Sequence, residues 1–303
     1  MLRQRLPSTL SMWALVLAVV FLAPPVCSWG LLALIGSLAL WECYSIFEKA
    51  GLRVMKVWGV LSGLVLLAGS WFFYKHSGHA GSWRVTEATV LLFESTVLGL
   101  ALMGCFVGTM VHRDDGKPFA PVAAIGSTML GLIYVSWLFN FLIKVYFIEP
   151  SCGQHGGWAL FHGKYAVFYL ILVTKLSDSG AYVVGSWLGR HKMSPRISPK
   201  KTWEGAAGAV LTAMLAGLGA FYLFRESLVP LRMTPLHAVI VGALLGAVGI
   251  VGDLAESIIK RQAGVKDSGR WLPGIGGLLD LIDSLLFTAP ALYAYLRLVL
   301  RAS

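Results

Sequence analysis

The sequence predicts an all-α polytopic membrane protein of about nine transmembrane helices, and three observations carry that prediction. Hydrophobic residues make up 57% of the 303-residue chain and charged residues only 13%, where a soluble domain is about one-quarter charged. Apolar runs of about 20 residues, the length needed to cross a bilayer core, recur along the chain. They are continuous rather than the short alternating strands of a β-barrel, and a helix satisfies its own backbone polar groups in lipid.

The runs fall near residues 8–24, 27–47, 57–74, 87–110, 120–143, 165–188, 206–224, 236–258 and 279–300. Arg3 and Arg5 before an apolar stretch imitate a secretory signal peptide. Pro24-Pro25 and a second apolar run follow where a small-residue cleavage site would stand, so the stretch reads as the first span. Gly51, the segment 78–81, Asp114-Asp115-Gly116 and the segment 153–157 are turn signals between later spans. Cys27, Cys43, Cys105 and Cys152 show no paired spacing, and buried thiols are expected rather than a disulfide or zinc site.

An odd number of spans puts the termini on opposite sides. The side holding the N-terminus carries sixteen Lys and Arg residues and the other side eight, with Lys175 inside a span and counted for neither. The positive-inside rule makes the first side cytoplasmic, in a multi-pass protein of the cell membrane. It also explains the net charge of +10 without nucleic acid. Two regions result: residues 1–164 with about five spans, and residues 165–303 with about four spans and the cytoplasmic loops 189–205 and 259–278.

The chemistry concentrates in the second region. Asp253 and Glu256 are three apart, as are Asp280 and Asp283, so a helix places each pair on one face. Carboxylates at a membrane edge are costly and mark a functional site. Two such pairs can hold a divalent ion with oxygen ligands, and pairing with Lys260 or Arg261 is the alternative use for them. Between the pairs lie Ser257, Lys260, Arg261, Lys266 and Asp267, then the glycine-rich turn with Gly276 and Gly277. Basic side chains and close backbone N–H groups suit phosphate.

Asp178 lies inside an apolar span, where it either pairs with Lys175 or meets substrate. Ser198, Lys200, Lys201 and Thr202 precede the span at 206–224. Hydroxyls and lysines at a helix start make a phosphate site, while a plain positive-inside anchor is the other reading for the lysines. Glu42, Glu87 and Glu94 sit in or near spans and face a cavity or a partner. Gly242, Gly246, Gly249 and Gly252 let one span pack closely on a neighbour. The histidines show neither a Ser–His–Asp arrangement nor a zinc spacing.

Residues 257–283 resemble the signature of the phosphatidate cytidylyltransferase family, also called CDP-diglyceride synthetases. Ser257, Ile259, Lys260, Arg261, Lys266, Asp267, Gly269, Leu272, Pro273, Gly276, Gly277, Asp280 and Asp283 carry the likeness, with Asp178–Tyr182 and Ser198–Gly205. Ile275 and Leu281 stand where the family has His and Arg. The resemblance implies conversion of CTP and phosphatidate to CDP-diacylglycerol and pyrophosphate. It also implies Mg²⁺ (a second, monovalent cation is a further candidate) and a homodimer. On this reading Asp253, Glu256, Asp280 and Asp283 are metal ligands, Lys260 acts with Asp253, Asp280 and Asp283 in catalysis, and Asp178, Ser198, Lys200, Lys201, Thr202, Ser257, Arg261, Lys266, Asp267, Gly276 and Gly277 bind substrate. A CTP-dependent lipid kinase and an anion transporter are the competing expectations.

Overall fold

The computed structural model describes residues 19, 21–76, 86–111, 120–148, 158–269 and 276–301. Eight helices among them are long and apolar enough to cross a membrane, as the hydropathy runs predict. Most of the first expected span, near 8–24, lies outside the described residues, as do Asp114, Asp115, Cys152 and Ile275.

The helices are α1 (Pro25–Lys49), α2 (Lys56–His76) and α3 (Glu87–Met110). Then come α4 (Pro121–Gly131), a π-helical turn (Leu132–Trp137) and α5 (Leu138–Tyr146), which together make one span. After them follow α6 (Trp158–Trp187), α7 (Trp203–Leu223), the short α8 (Arg225–Leu228), α9 (Pro235–Gln262) and α10 (Leu279–Leu298). Their starts carry recognisable chemistry. Proline opens α1 and α4, where its missing N–H costs nothing. Thr86 and Thr89 form a reciprocal capping box on α3.

The chain forms two compact units: residues 1–143 with 259–281, and residues 144–258 with 282–303. In the first, Tyr44 is fully buried, and its hydroxyl donates to the Thr128 carbonyl at 2.8 Å. Gly59 and Gly131 leave the room its ring occupies. Glu94, also buried, accepts from Asn140 Nδ2 at 2.8 Å.

In the second unit α6 and α7 pack along their lengths. Tyr169 is fully buried and donates to the Ala238 carbonyl at 3.0 Å. The glycines of α9 serve packing unevenly. A Cβ on Gly242 would stand 2.5 Å from the Ala213 carbonyl oxygen, and one on Gly246 3.0 Å from Val210 Cα, whereas one on Gly249 would meet nothing nearer than 3.6 Å.

Two boundaries differ from the sequence reading. Residues 189–205, expected as a loop, fold into an antiparallel hairpin of β1 (Lys192–Ser194) and β2 (Ser198–Thr202), with Lys192 opposite Thr202 and Ser194 opposite Ser198. Glu204 closes its base, accepting from the Arg190 and His191 backbone N–H groups at 3.1 and 3.2 Å. Helix α9 also runs to Gln262. Lys260 and Arg261 therefore belong to its last turn and not to the loop expected from 259, and cations there complement the helix dipole.

Candidate active site

Three carboxylates converge in the second unit. Asp253 and Glu256 are one turn apart on α9, and Asp283 lies on α10. Each offers an oxygen within 4.8 Å of the other two. Gly252 makes this approach possible, because a Cβ there would sit 2.8 Å from the Asp283 carbonyl oxygen. Glu256 and Asp283 are buried, at 0% and 8% exposure, so their charges need compensation. Ser284 N–H donates to Asp283 Oδ1 at 2.6 Å.

The donor set fits a hard divalent cation. With metal–oxygen bonds of about 2.1 Å, octahedral ligands lie roughly 3 Å (adjacent) to 4.2 Å (opposite) apart. Three ligands on one octahedron include at least two adjacent pairs, so oxygens spread over as much as 4.8 Å close onto the ion with about 1 Å of movement at each side chain. All three ligand groups are carboxylates, which suit Mg²⁺, Ca²⁺ or Mn²⁺ over zinc.

Two lysines flank the acids. Lys201 Nζ is 2.7 Å from Asp253 Oδ2. Lys175 Nζ is 3.3 Å from Asp178 Oδ2 and donates to Ser284 Oγ at 3.1 Å, while Ser284 Oγ donates to Asp178 Oδ2 at 3.2 Å. Asp178 thus does pair with Lys175, and it also faces the cavity next to the acids.

That cavity has a volume of about 430 Å³, and its lining includes Asp178, Ser198, Lys200, Lys201, Thr202 and Asp253. Three segments that are separate in sequence therefore share one concave site, of the size that holds a small organic ligand. Thr202 caps α7, its Oγ1 accepting from the Gly205 N–H at 3.1 Å. Gly205 and Ala206, in the first turn of α7, line the wall, and the positive end of a helix dipole favours an anion there. The walls approach closely because Gly185 and Gly205 carry no side chains: a Cβ on Gly205 would stand 3.2 Å from Gly185 Cα.

A second polar cluster belongs to the first unit. Asp280 Oδ1 is 2.7 Å from Lys260 Nζ, and its Oδ2 accepts from Ser268 N–H at 3.0 Å and Gly277 N–H at 2.8 Å. The structure thus gives Asp280 a different set of partners from Asp283, although the two are one turn apart on α10. Gly276 has φ = +123°, a conformation open to glycine. Arg261, Lys266 and Asp267 are exposed, and Ser257 is buried.

Sequence reasoning did not bring Glu42 and Ser268 into the site. Glu42 is 3% exposed, and its Oε2 accepts from Ser268 Oγ at 3.1 Å and Leu279 N–H at 2.9 Å. Ser268 Oγ in turn accepts from Asp280 N–H at 3.3 Å. Gly277 and Gly269 have no side chain because Ser268 and Glu42 occupy that space. The available signal was an acid in the middle of an apolar run, Trp41-Glu42-Cys43.

The sequence profile of the cytidylyltransferase family matches residues 3–299. Over 212 residues the chain is 43% identical to the uncharacterized protein YnbB of Escherichia coli (strain K12), which covers 68% of this chain and 64% of that protein. It is 37% identical over 197 residues to a phosphatidate cytidylyltransferase of Synechocystis sp., covering 60% and 65%. It is 32% identical over 267 residues to the phosphatidate cytidylyltransferase of Bacillus subtilis (strain 168), covering 87% and 86%. The chain thus spans just under two-thirds of the length of the first two relatives and most of the third. With a profile match that takes in the cavity, the acid triad and the Lys260–Asp280 cluster alike, the chain belongs to the cytidylyltransferase family.

Proposed function

We propose that this chain is an integral membrane cytidylyltransferase that converts CTP and phosphatidate to CDP-diacylglycerol and pyrophosphate. The observation that carries the reading is the shared cavity. Lys200, Lys201, Ser198, Thr202 and the start of α7 line it, and Asp253 belongs at once to that lining and to the acid triad.

The reaction joins two anions. A phosphate oxygen of phosphatidate attacks the α-phosphorus of CTP, a new P–O bond forms, and the bond from the α-phosphorus to the bridging oxygen breaks. Pyrophosphate leaves with that electron pair. The attacking oxygen already carries charge near neutral pH, so the reaction needs positioning and charge neutralisation more than a strong base. Lys200 and Lys201 neutralise phosphate charge, the N-terminus of α7 and Ser198 orient a phosphate, and Asp178 stays fixed by Lys175 and Ser284. A divalent cation held by Asp253, Glu256 and Asp283 would supply charge to the phosphate oxygens; Mg²⁺ fits this role best, because it prefers oxygen ligands and is completed by substrate phosphates. Lys260 and Asp280 hold the loop after α9, and Arg261 and Lys266 are assigned to nucleotide phosphate on the family resemblance alone. On this reading the hairpin and the segment after α9 face the cytoplasm, where CTP is found, and the enzyme works as a homodimer.

The test uses purified protein with phosphatidate, Mg²⁺ and each nucleoside triphosphate in turn. CDP-linked lipid and pyrophosphate with CTP are expected. Lipid phosphate with CDP, or solute uptake into proteoliposomes without lipid turnover, would refute the reading.

A further inference from the structure

We infer that Lys201 and the divalent cation compete for Asp253, so that cation binding at the acid triad frees the Lys201 ammonium for the phosphates in the cavity. This rests on the proposed cation site and adds an exchange step to it.

Lys201 stands where two functions meet. Its Nζ is 2.7 Å from Asp253 Oδ2 and donates to the Ile250 carbonyl at 3.3 Å. The same residue lines the cavity with Ser198, Lys200 and Thr202. Asp253 in turn is one of the three acids whose oxygens lie within 4.8 Å of one another. The Asp253 carboxylate has lone pairs for both partners, but an ammonium 2.7 Å away already neutralises its charge and repels an incoming cation, so the two compete for it electrostatically. The divalent ion brings two charges to a cluster of three acids where the lysine brings one, and it also engages Glu256 and Asp283. It therefore wins Asp253.

The displaced ammonium keeps only the longer contact to the Ile250 carbonyl. It sits on a flexible four-carbon stem at the cavity wall, where an incoming phosphate offers a new partner. Cation and phosphate then assist each other through Lys201, and by linkage the assistance is reciprocal. Lys200 lines the same cavity, but Asp253 is paired with Lys201. The two adjacent lysines thus have different jobs, a distinction that the run Lys200-Lys201 does not disclose.

The test titrates Mn²⁺ onto the full chain in detergent micelles without nucleotide, read by electron paramagnetic resonance. K201M is expected to bind Mn²⁺ about five-fold more tightly than wild type, or ~1 kcal/mol, the scale of a partly exposed ion pair. K200M removes the same charge from the same cavity and is expected to shift affinity less than about two-fold, since no ion pair is broken.

Amine labelling read by mass spectrometry gives a second measure on the wild-type chain. Mg²⁺ should raise the labelling rate of Lys201 several-fold, and Mg²⁺ with CTP should lower it again. In D253N, Lys201 should label fast with or without Mg²⁺. Equal Mn²⁺ shifts in K201M and K200M, or Lys201 labelling that ignores Mg²⁺, would overturn the exchange while leaving the cation site intact. A wild-type chain that binds no Mn²⁺, or binds it as well after D283N, would overturn the cation site and the exchange together.

Discussion

Replacing Glu42 with alanine should loosen the start of α10 without touching any group proposed to meet substrate. The first backbone N–H groups of a helix have no partner within it. Here Leu279 N–H donates to Glu42 Oε2 and Asp280 N–H to Ser268 Oγ, so the helix is capped by a side chain 237 residues earlier and by a loop serine that leans on the same carboxylate. Glu42→Ala removes the acceptor for two buried donors. Losing a cap costs about 1 kcal/mol, and a buried donor left unsatisfied costs about 1–3 kcal/mol. The serine hydroxyl can turn to another acceptor, so the total is roughly 3 kcal/mol, near a hundred-fold in a local opening equilibrium. Glu42→Gln keeps an oxygen of the same shape and should cost about 1 kcal/mol, the difference between a charged and a neutral acceptor. Hydrogen exchange of the peptide covering residues 276–282 is the assay. The alanine variant should exchange about a hundred-fold faster there and the glutamine variant less than ten-fold. Wild-type protection in Glu42→Ala would refute the capping argument. Equal effects from both variants would show that charge, not the oxygen's position, holds the loop.

The other expectations concern the acids and the glycines. Asp283→Asn should lower Mn²⁺ affinity by at least about ten-fold and remove cation-dependent turnover, because it takes one charged ligand from three; unchanged Mn²⁺ titration would remove Asp283 from the ligand set. Gly242→Ala should cost about 1–3 kcal/mol by overpacking against the Ala213 carbonyl. Gly249→Ala has room and should stabilise α9 by roughly 0.5–1 kcal/mol through helix propensity, and denaturation in mixed micelles separates the two. Thr202→Val should cost about 1 kcal/mol of stability by uncapping α7 and should raise the KM for CTP more than it lowers kcat.

What was legible in the sequence follows from what the solvent enforces. A bilayer core sets the length of each apolar run, so α3 spans Glu87–Met110 where hydropathy places a span at 87–110. The same signal stops early on α9, because the helix continues through Ser257, Lys260 and Arg261 to Gln262 after the apolar part ends. Hydropathy measures the membrane and not the helix. The hairpin at 192–202 escaped notice for another reason: strands of three and five residues are too short to carry a period.

The acids show the limit of spacing most clearly. Three-residue spacing placed Asp280 and Asp283 on one face of α10, and the helix bears that out. It could not say what each would meet. Asp280 meets Lys260 and the N–H groups of Ser268 and Gly277, while Asp283 meets Asp253 and Glu256. Helical periodicity fixes the direction of a side chain relative to its own helix. Its chemistry depends on what other elements bring to that direction, and here those elements include a glutamate from α1. An acid pair in a membrane span therefore marks where to look, and the division of labour within the pair is decided by tertiary contacts.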